Sequence, residues 1–457
     1  MTFPITAGFM SFTTASGFIC RLPRLPMEET PNDFIMTDQD PPAYLTGLMK
    51  NGIRLDLQPF EQLLAKLQHP QRAYPAILVG GTNGKGSIAA MVTAILVKAG
   101  FRVGLYTSPH LVDVRERIRV NGQMISPEEI DACLAEIRVA DDPGLTYFEC
   151  LTAAAFIHFC KQHVDLAVLE VGMGGRLDAT NVVSPVLSII SNVTLEHTNF
   201  LGRRLREIAT EKAGIIREKG LCLTAATQKT VRETLRTRCR ECGATLLELG
   251  IDFSVRRGRD GSFSYRGNDL TLRHVQTALP GLHQVKNAAL AIAAIGELTG
   301  RGFPVTEKDI ITGLTSVSWP GRLETVRSRP TVILDGAHNP AAVAVLCASL
   351  RKFYSWRRLI VVFGVLEDKK YGDMVKMLCS LASEVIITRP KTERAVSPEV
   401  LLPVVRRYGM KSEVIENPPD ALEKAMAAAD AADLICITGS LYLVGEIRGL
   451  LAGGGMA

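Results

Sequence analysis

The sequence predicts a two-domain α/β protein with mostly parallel sheets, and three observations carry that expectation. Short apolar runs alternate with helical sequence, the runs are apolar at nearly every position, and the alternation lapses near Val317 and begins again at Thr331. Near-continuous apolarity marks strands buried on both faces, as in a parallel sheet covered by helices on either side. The chain has 457 residues, 47% of them hydrophobic, enough to build two or three cores.

Residues 1–36 carry no acid before Glu28 and no base before Arg21. A secretory signal begins with basic residues and an organelle transit peptide is rich in arginine, so 1–36 read as a disordered tail or an upstream start, with Met27 and Met36 as alternative first residues. A helix is expected around Glu61–Leu67. At Ala76 a strand, a glycine-rich turn and a helix follow one another. AILV leads into GGTNGKGS, Gly80 to Ser87, and then a helix with Ile88, Met91, Val92, Ile95 and Leu96 on one face, ending at Gly100.

RVGLY is the next strand, Asn121-Gly122 a hairpin turn, and Ser126-Pro127-Glu128-Glu129 a helix start with cap, N1 proline and capping-box acid. DLAVLEV, PVLSII and LCLTA follow as buried strands. Between Phe253 and Leu279 the residues alternate and are broken at Asp260-Gly261 and Gly267-Asn268, which predicts a small antiparallel insertion. A helix over Lys286–Leu298 closes a first domain spanning 37–316. After a linker at 317–330, the runs TVILD, LIVVFGV, EVIIT, SEVIE and DLICITG predict a smaller Rossmann-like α/β domain over 331–457.

Net charge is +5 without a long Lys/Arg block, which makes nucleic acid an unexpected partner and suits small polyanions such as ATP. No run of 18 apolar residues signals a membrane span. Ten cysteines lack the spacing of a disulfide framework, which favours a reducing compartment and a cytoplasmic protein. Cys239 and Cys242 form C-R-E-C, but no second Cys or His pair stands at zinc-like spacing, and two ordinary thiols are the better reading.

GGTNGKGS poses the functional question. A phosphate loop works because successive backbone N–H groups wrap the phosphates, a lysine reaches the terminal ones, and the following helix adds the positive end of its dipole. Asn83, Gly84, Lys85, Gly86 and Ser87 supply that arrangement between a strand and a helix. The standard pattern G-x-x-x-x-G-K-[ST] nevertheless fails twice, because Val79 occupies the first glycine position and Gly86 follows the lysine. A purely structural turn is the alternative.

Further blocks decide between the two. They are YTSPHL (Tyr106 to Leu111), LTYFE (Leu145 to Glu149), LEVGMGGRLDATN (Leu169 to Asn181), EHTNFLG (Glu196 to Gly202), EKAGII (Glu211 to Ile216), WPGRLE (Trp319 to Glu324), DGAHNP (Asp335 to Pro340) and ITGSLYL (Ile437 to Leu443). Together with the loop they resemble the Mur ligase superfamily, in the form used by folylpolyglutamate and dihydrofolate synthases, over about residues 40 to 450. In that family the lysine is followed by glycine and then Ser or Thr, so the irregular loop is a family trait.

The resemblance implies amide ligation. ATP phosphorylates a carboxylate of a pterin substrate, and the amine of L-glutamate attacks the acyl phosphate. Two magnesium ions are implied, with a monovalent cation as a further candidate. Glu170, at the end of LAVLE, is a magnesium ligand by resemblance, and Ser108, His197 and Glu170 match the ligands of the second ion. Ser87 is an alternative ligand, and imidazole is an unusual one for magnesium. Read alone, Glu170 is a lone carboxylate after a strand and His197 an ordinary loop histidine.

Lys212 matches a lysine that is carbamylated in many relatives, and a surface lysine is its plain alternative. Asn287, Arg322 and Asp335 match ATP contacts; His338 would face the nucleotide and help hold a closed state, or merely neighbour a helix cap at Asn339-Pro340. Lys85, Glu170, His197, Lys212 and His338 are thus the implied catalytic set.

Thr146, Tyr147, Phe148, Leu177, Asp178 and Ala179 match the pterin site, and RLDATN favours an enzyme accepting both dihydropteroate and reduced folates. Asp56 departs from a glycine frequent in relatives. The resemblance further implies a monomer. Rival readings are a ligase confined to folylpolyglutamates, a UDP-muramyl peptide ligase, an ATPase switch and an inactive pterin binder. The muramyl reading needs a separate N-terminal domain, for which only about 75 residues precede the loop strand.

Overall fold

The computed structural model describes residues 43–140, 144–267 and 269–452. The expected tail at 1–36 and Asn268 of the second insertion turn lie outside them. Strands β1 (Ala76–Gly80), β2 (Val103–Tyr106), β3 (Ile118–Val120), β4 (Gln123–Met124), β5 (Leu166–Glu170), β6 (Pro185–Ile190), β7 (Leu221–Thr224) and β8 (Thr245–Glu248) form the first sheet, in the order β4-β3-β2-β5-β1-β6-β7-β8. From β2 to β8 every pairing is parallel, and β3 and β4 add an antiparallel edge hairpin. Asn121 and Gly122 turn that hairpin with φ of 51° and 83°, the paired positive values of a type I′ turn.

Central strands β1 and β5 are buried at every position, as their apolar runs predict. One face is covered by the helix Tyr147–Lys161 and the other by the helices Lys85–Lys98 and Gln284–Thr299. The first of these last two differs from expectation. Besides the predicted stripe, Ala89, Ala90 and Thr93 are also buried, for the helix packs against the sheet and against both the helices Gln284–Thr299 and Glu307–Ser316. Gly313 makes that approach possible: a Cβ there would come within 2.6 Å of the Ile95 Cα.

The insertion is a three-stranded antiparallel sheet of β9 (Ser254–Arg257), β10 (Phe263–Arg266) and β11 (Thr271–Val275), as its alternation predicts. A further sheet contains β12 (Glu324–Ser328), β13 (Thr331–Asp335), β14 (Leu359–Phe363), β15 (Glu384–Ile387), β16 (Lys411–Val414) and β17 (Leu434–Thr438), in the order β12-β13-β17-β14-β15-β16. Its strands run parallel except β12, which pairs antiparallel with β13. The expected linker at 317–330 therefore contains an edge strand. Its mixed, largely exposed residues hide the strand from a search for apolar runs.

The described residues between 43 and 452 belong to one compact unit. Among the described residues no helix is long and apolar enough to cross a membrane, and Cys239 and Cys242 are buried near the end of the helix Lys229–Cys242.

Candidate active site

Strands β1, β5 and β6 of the first sheet and β13 and β17 of the other direct their carboxyl ends at one cavity of about 450 Å³. That is the edge at which open parallel sheets bind ligands, and the volume suits a small molecule. GGTNGKGS forms one wall. Gly84 takes φ of 88° at the start of the helix Lys85–Lys98, and a Cβ there would meet the Asn287 Oδ1 at 2.8 Å. No side chain caps this helix, so its first N–H groups point at the cavity with the positive end of the dipole.

The loop is braced from below. Ser191 Oγ and Asn192 Nδ2 donate to the Asn83 carbonyl at 2.7 and 2.8 Å, and the Asn83 N–H donates to Asn192 Oδ1 at 3.2 Å. Val79 sits inside β1, fully buried, where the sheet needs an apolar side chain. Lys85 Nζ donates to the Thr82 carbonyl at 3.2 Å and lies 3.9 Å from Glu170 Oε1. Ser87 is buried, and Gln284 Nε2 donates to its Oγ at 3.4 Å.

Glu170 is buried at the end of β5 and accepts from the Ser108 N–H at 3.2 Å. Burial pushes its carboxyl above the usual range, opposed by Lys85, the Ser108 N–H and the arginines 322 and 117. Asp335, buried at the end of β13, is raised for the same reason, against Arg322 and the N–H groups of Leu323 (2.8 Å) and Ala337 (3.0 Å). Both carboxylates therefore favour a cationic guest.

Lys212 lies behind the loop rather than in the cavity. It is buried, its Nζ donates to the Gly81 carbonyl at 2.9 Å, and burial together with Lys85 lowers its pKa to about 7. His197 lines the cavity at φ of 51°, where burial, then Lys369, Lys85 and Lys212 against the pull of Glu196, lowers its pKa to about 4. A neutral imidazole keeps a lone pair for a ligand.

The most connected group was not among the residues expected from sequence. Glu196 Oε1 lies 3.3 Å from His338 Nε2, 3.4 Å from Asn339 Nδ2, 3.6 Å from Lys369 Nζ and 4.0 Å from His197 Nε2. Burial raises its pKa, but His338, His197 and Lys369 outweigh that and hold the carboxyl well below the usual range. His338 Nδ1 stands 2.8 Å from the Gly336 carbonyl, so both ring nitrogens face acceptors. Asn339 and Asn83 exchange amide hydrogen bonds at 2.9 and 3.3 Å, joining the phosphate loop to the start of the helix Pro340–Phe353. Lys369, Arg394, Ser440 and Tyr442 also line the cavity and were not expected. The signal for Glu196 was its place beside His197 in EHTNFLG.

Asn83, Gly84, Lys85, Gly86, Ser87, Ser108, Glu170, His197, Asn287, Arg322, Asp335 and His338 thus share one cavity. Thr146, Tyr147, Phe148, Leu177, Asp178 and Ala179 do not line it. Thr146 caps the helix Tyr147–Lys161 in a reciprocal box with Glu149, at 3.2 and 2.7 Å. Tyr147 lies under the Arg117 guanidinium at 5.3 Å, and Phe148 packs on Gly172, a cavity residue. Asp178 is buried, accepting from Thr180 N (3.0 Å), Thr180 Oγ1 (2.6 Å) and Met173 N (2.8 Å). Of this group Phe148 alone comes against a cavity residue, Gly172.

Among the described residues no three His, Cys, Asp or Glu side chains gather as a preformed metal cluster. The candidate donors are one hydroxyl, one carboxylate and one imidazole, from Ser108, Glu170 and His197. So sparse a set leaves most of an octahedral shell to phosphate oxygens and water, which fits magnesium on a nucleotide.

Residues 79–295 match the family model "Mur ligase middle domain" and residues 321–441 the model "Mur ligase, glutamate ligase domain". The chain is 36% identical over 423 residues to "Dihydrofolate synthase/folylpolyglutamate synthase" of Bacillus subtilis (strain 168), covering 90% of this chain and 98% of the relative. Its fold matches E. coli FolC in complex with DHPP and ADP, at a TM-score of 0.84 and 32% identity over 91% of this chain and 97% of the other. It also matches the bifunctional folylpolyglutamate synthase/dihydrofolate synthase of Yersinia pestis complexed with AMPPNP and Mn ion, at 0.81 and 30%, covering 90% and 96%.

Proposed function

The chain belongs to the Mur ligase family, in its dihydrofolate synthase/folylpolyglutamate synthase group, and from that membership we propose a ligase with two acceptors. It joins L-glutamate to 7,8-dihydropteroate, giving dihydrofolate, and to reduced folylpolyglutamates, with ATP cleaved to ADP and phosphate. The observation that carries this reading is the single cavity holding Lys85 and Glu170 from one sheet and Arg322, Asp335 and His338 from the other.

The acceptor carboxylate takes the terminal phosphoryl group of ATP, and the bond to ADP breaks. The deprotonated amine of glutamate then attacks the acyl carbon and expels inorganic phosphate. Backbone N–H groups at Gly84–Ser87, the Lys85 ammonium and the Arg322 fork would bind the phosphate oxygens. Ser108, Glu170 and His197 would hold magnesium, which neutralises charge on the two reacting anions. Lys212 is buried with a pKa near neutral, so an uncharged amine is available to react with carbon dioxide. Carbamylation would turn a cation behind the loop into an anion able to orient magnesium.

Tyr147 and Phe148, with the 177–179 turn, are assigned to the pterin ring. We assign the protein to the cytoplasm as a monomer, with residues 37–316 as the ATP and pterin domain and 331–457 as the glutamate-ligase domain. The test is glutamate-dependent ADP release with dihydropteroate and with tetrahydrofolate in parallel. Turnover with both supports the reading, tetrahydrofolate alone restricts it to folylpolyglutamate synthesis, and ADP release indifferent to acceptor and glutamate would identify an ATPase switch.

A further inference from the structure

Beside the main cavity lies a smaller one of about 30 Å³, lined by Glu116, Arg119, Trp319 and Pro320, and sharing Gly86, Ser108, Glu170 and Arg322 with the large one. It adjoins Ser108, Glu170 and Arg322, the residues to which the proposed function assigns the reacting phosphate and its magnesium. Two cations line it, Arg322, already assigned to phosphate, and Arg119, on β3. The guanidinium lies 5.8 Å from the Trp319 ring centre, and its Nε donates to the Glu116 backbone carbonyl at 3.0 Å. Stacking and that one hydrogen bond fix the plane of the fork.

No carboxylate among the described residues sits within ion-pair distance of Arg119. Glu116, the acid of the same cavity, spends its oxygens on the N–H groups of Leu111 (2.9 Å), Val112 (3.1 Å) and Asp113 (3.2 Å). Arg448, whose charge also reaches Arg119, is paired with Glu324 at 3.2 Å. Burial lowers the Arg119 pKa against the opposing charge of Glu116, so an oriented, half-buried cation faces the small cavity with none of its lining carboxylates in ion-pair contact. Such a cation selects a carboxylate.

The two acceptors differ in one group of that kind. Dihydropteroate ends in a benzoate, whose sole carboxylate becomes the acyl phosphate. A folate ends in a glutamyl residue with two carboxylates, and the one that does not react stays charged a short aliphatic spacer from the reacting carbon. We propose that Arg119 binds this non-reacting carboxylate, so that it is the specificity residue favouring glutamyl-ended acceptors over dihydropteroate. The inference rests on the two-acceptor reading above and names the residue behind it.

The experiment measures kcat/KM for tetrahydrofolate and for dihydropteroate in wild type, Arg119→Gln and Arg119→Lys, with tetrahydropteroyl-4-aminobutyrate as a folate lacking the second carboxylate. The ratio of tetrahydrofolate to dihydropteroate is expected to fall about 10- to 100-fold in Arg119→Gln, chiefly through KM, and by less in Arg119→Lys, the size set by loss of a charge-assisted pair. Wild type should lose a similar factor on moving to the aminobutyrate analogue, and Arg119→Gln should distinguish the two folates little. An unchanged acceptor ratio, or a variant still discriminating against the analogue as wild type does, overturns the assignment while leaving the ligase reading intact. Wild type that ligates neither acceptor overturns both.

Discussion

Two loops face each other across the cavity, and each leaves a parallel strand and opens a helix, yet they treat that helix in opposite ways. GGTNGKGS leaves the helix Lys85–Lys98 uncapped behind a left-handed glycine, with its first N–H groups unclaimed by any side chain. DGAHNP closes the helix Pro340–Phe353: Asn339 Oδ1 accepts from the Ala342 N–H at 2.9 Å, and Pro340 has no N–H to offer. In the proposed function one helix start is therefore an anion site made of backbone, and the other is a platform that aims side chains. Position in the fold alone does not distinguish the two loops; the uncapped first turn does.

The largest test of that contrast removes the cation from the first loop. Lys85→Ala should lower glutamate-dependent ADP release by about 10³-fold or more while the melting temperature holds, since a preorganised donor to a transition-state phosphate contributes on that scale. The helix itself does not depend on this side chain. Near wild-type turnover in a normally melting variant would sink the phosphate assignment. Glu170→Ala should be comparably severe, and its loss should be read against magnesium titration.

Lys212 gives the next effect. Its folded pKa, about 7, is depressed from 10.5, so between those values the unfolded chain binds the proton and the folded chain does not. Unmodified protein should therefore gain stability from this group as pH rises through that window and lose it as pH falls towards 7. Lys212→Met should flatten the difference in melting temperature between pH 7 and 10 relative to wild type. The same variant should remove any label taken up from ¹³C-bicarbonate; an equal slope and equal label in both proteins would refute the role given to Lys212.

What was legible in the sequence divides along the same line as the two loops. GGTNGKGS, the apolar strands, the Asn121-Gly122 turn and the Ser126 box are local signals, each complete within a few residues, and the structure keeps all of them. Contacts closing the site are not local. Asn83 meets Asn339 across 256 positions and Glu196 meets Asn339 across 143, so nothing near either residue announces the partner. β12 escaped for a related reason: an edge strand whose residues are largely exposed has no apolar run to betray it. The second side of the helix Lys85–Lys98 was hidden because its small residues Ala89, Ala90 and Thr93 become core only through tertiary packing by elements distant in sequence.

The smallest expected effect concerns the bridge between the loops. Asn83 and Asn339 form a reciprocal amide pair, but each also has a local duty, Asn83 on Asn192 and Asn339 as a helix cap. Single alanine variants mix these duties, with the cap alone worth about 1 kcal/mol in Asn339→Ala. A double-mutant cycle separates them. If the pair couples the loops, Asn83→Ala and Asn339→Ala should together cost less stability than their sum, by about 0.5–1.5 kcal/mol, the net worth of such hydrogen bonds. The same cycle on the KM for ATP should show coupling of the same sign, because the phosphate loop is one partner. Additive stabilities and additive KM changes would mean that the two loops are set independently and meet only through the substrates.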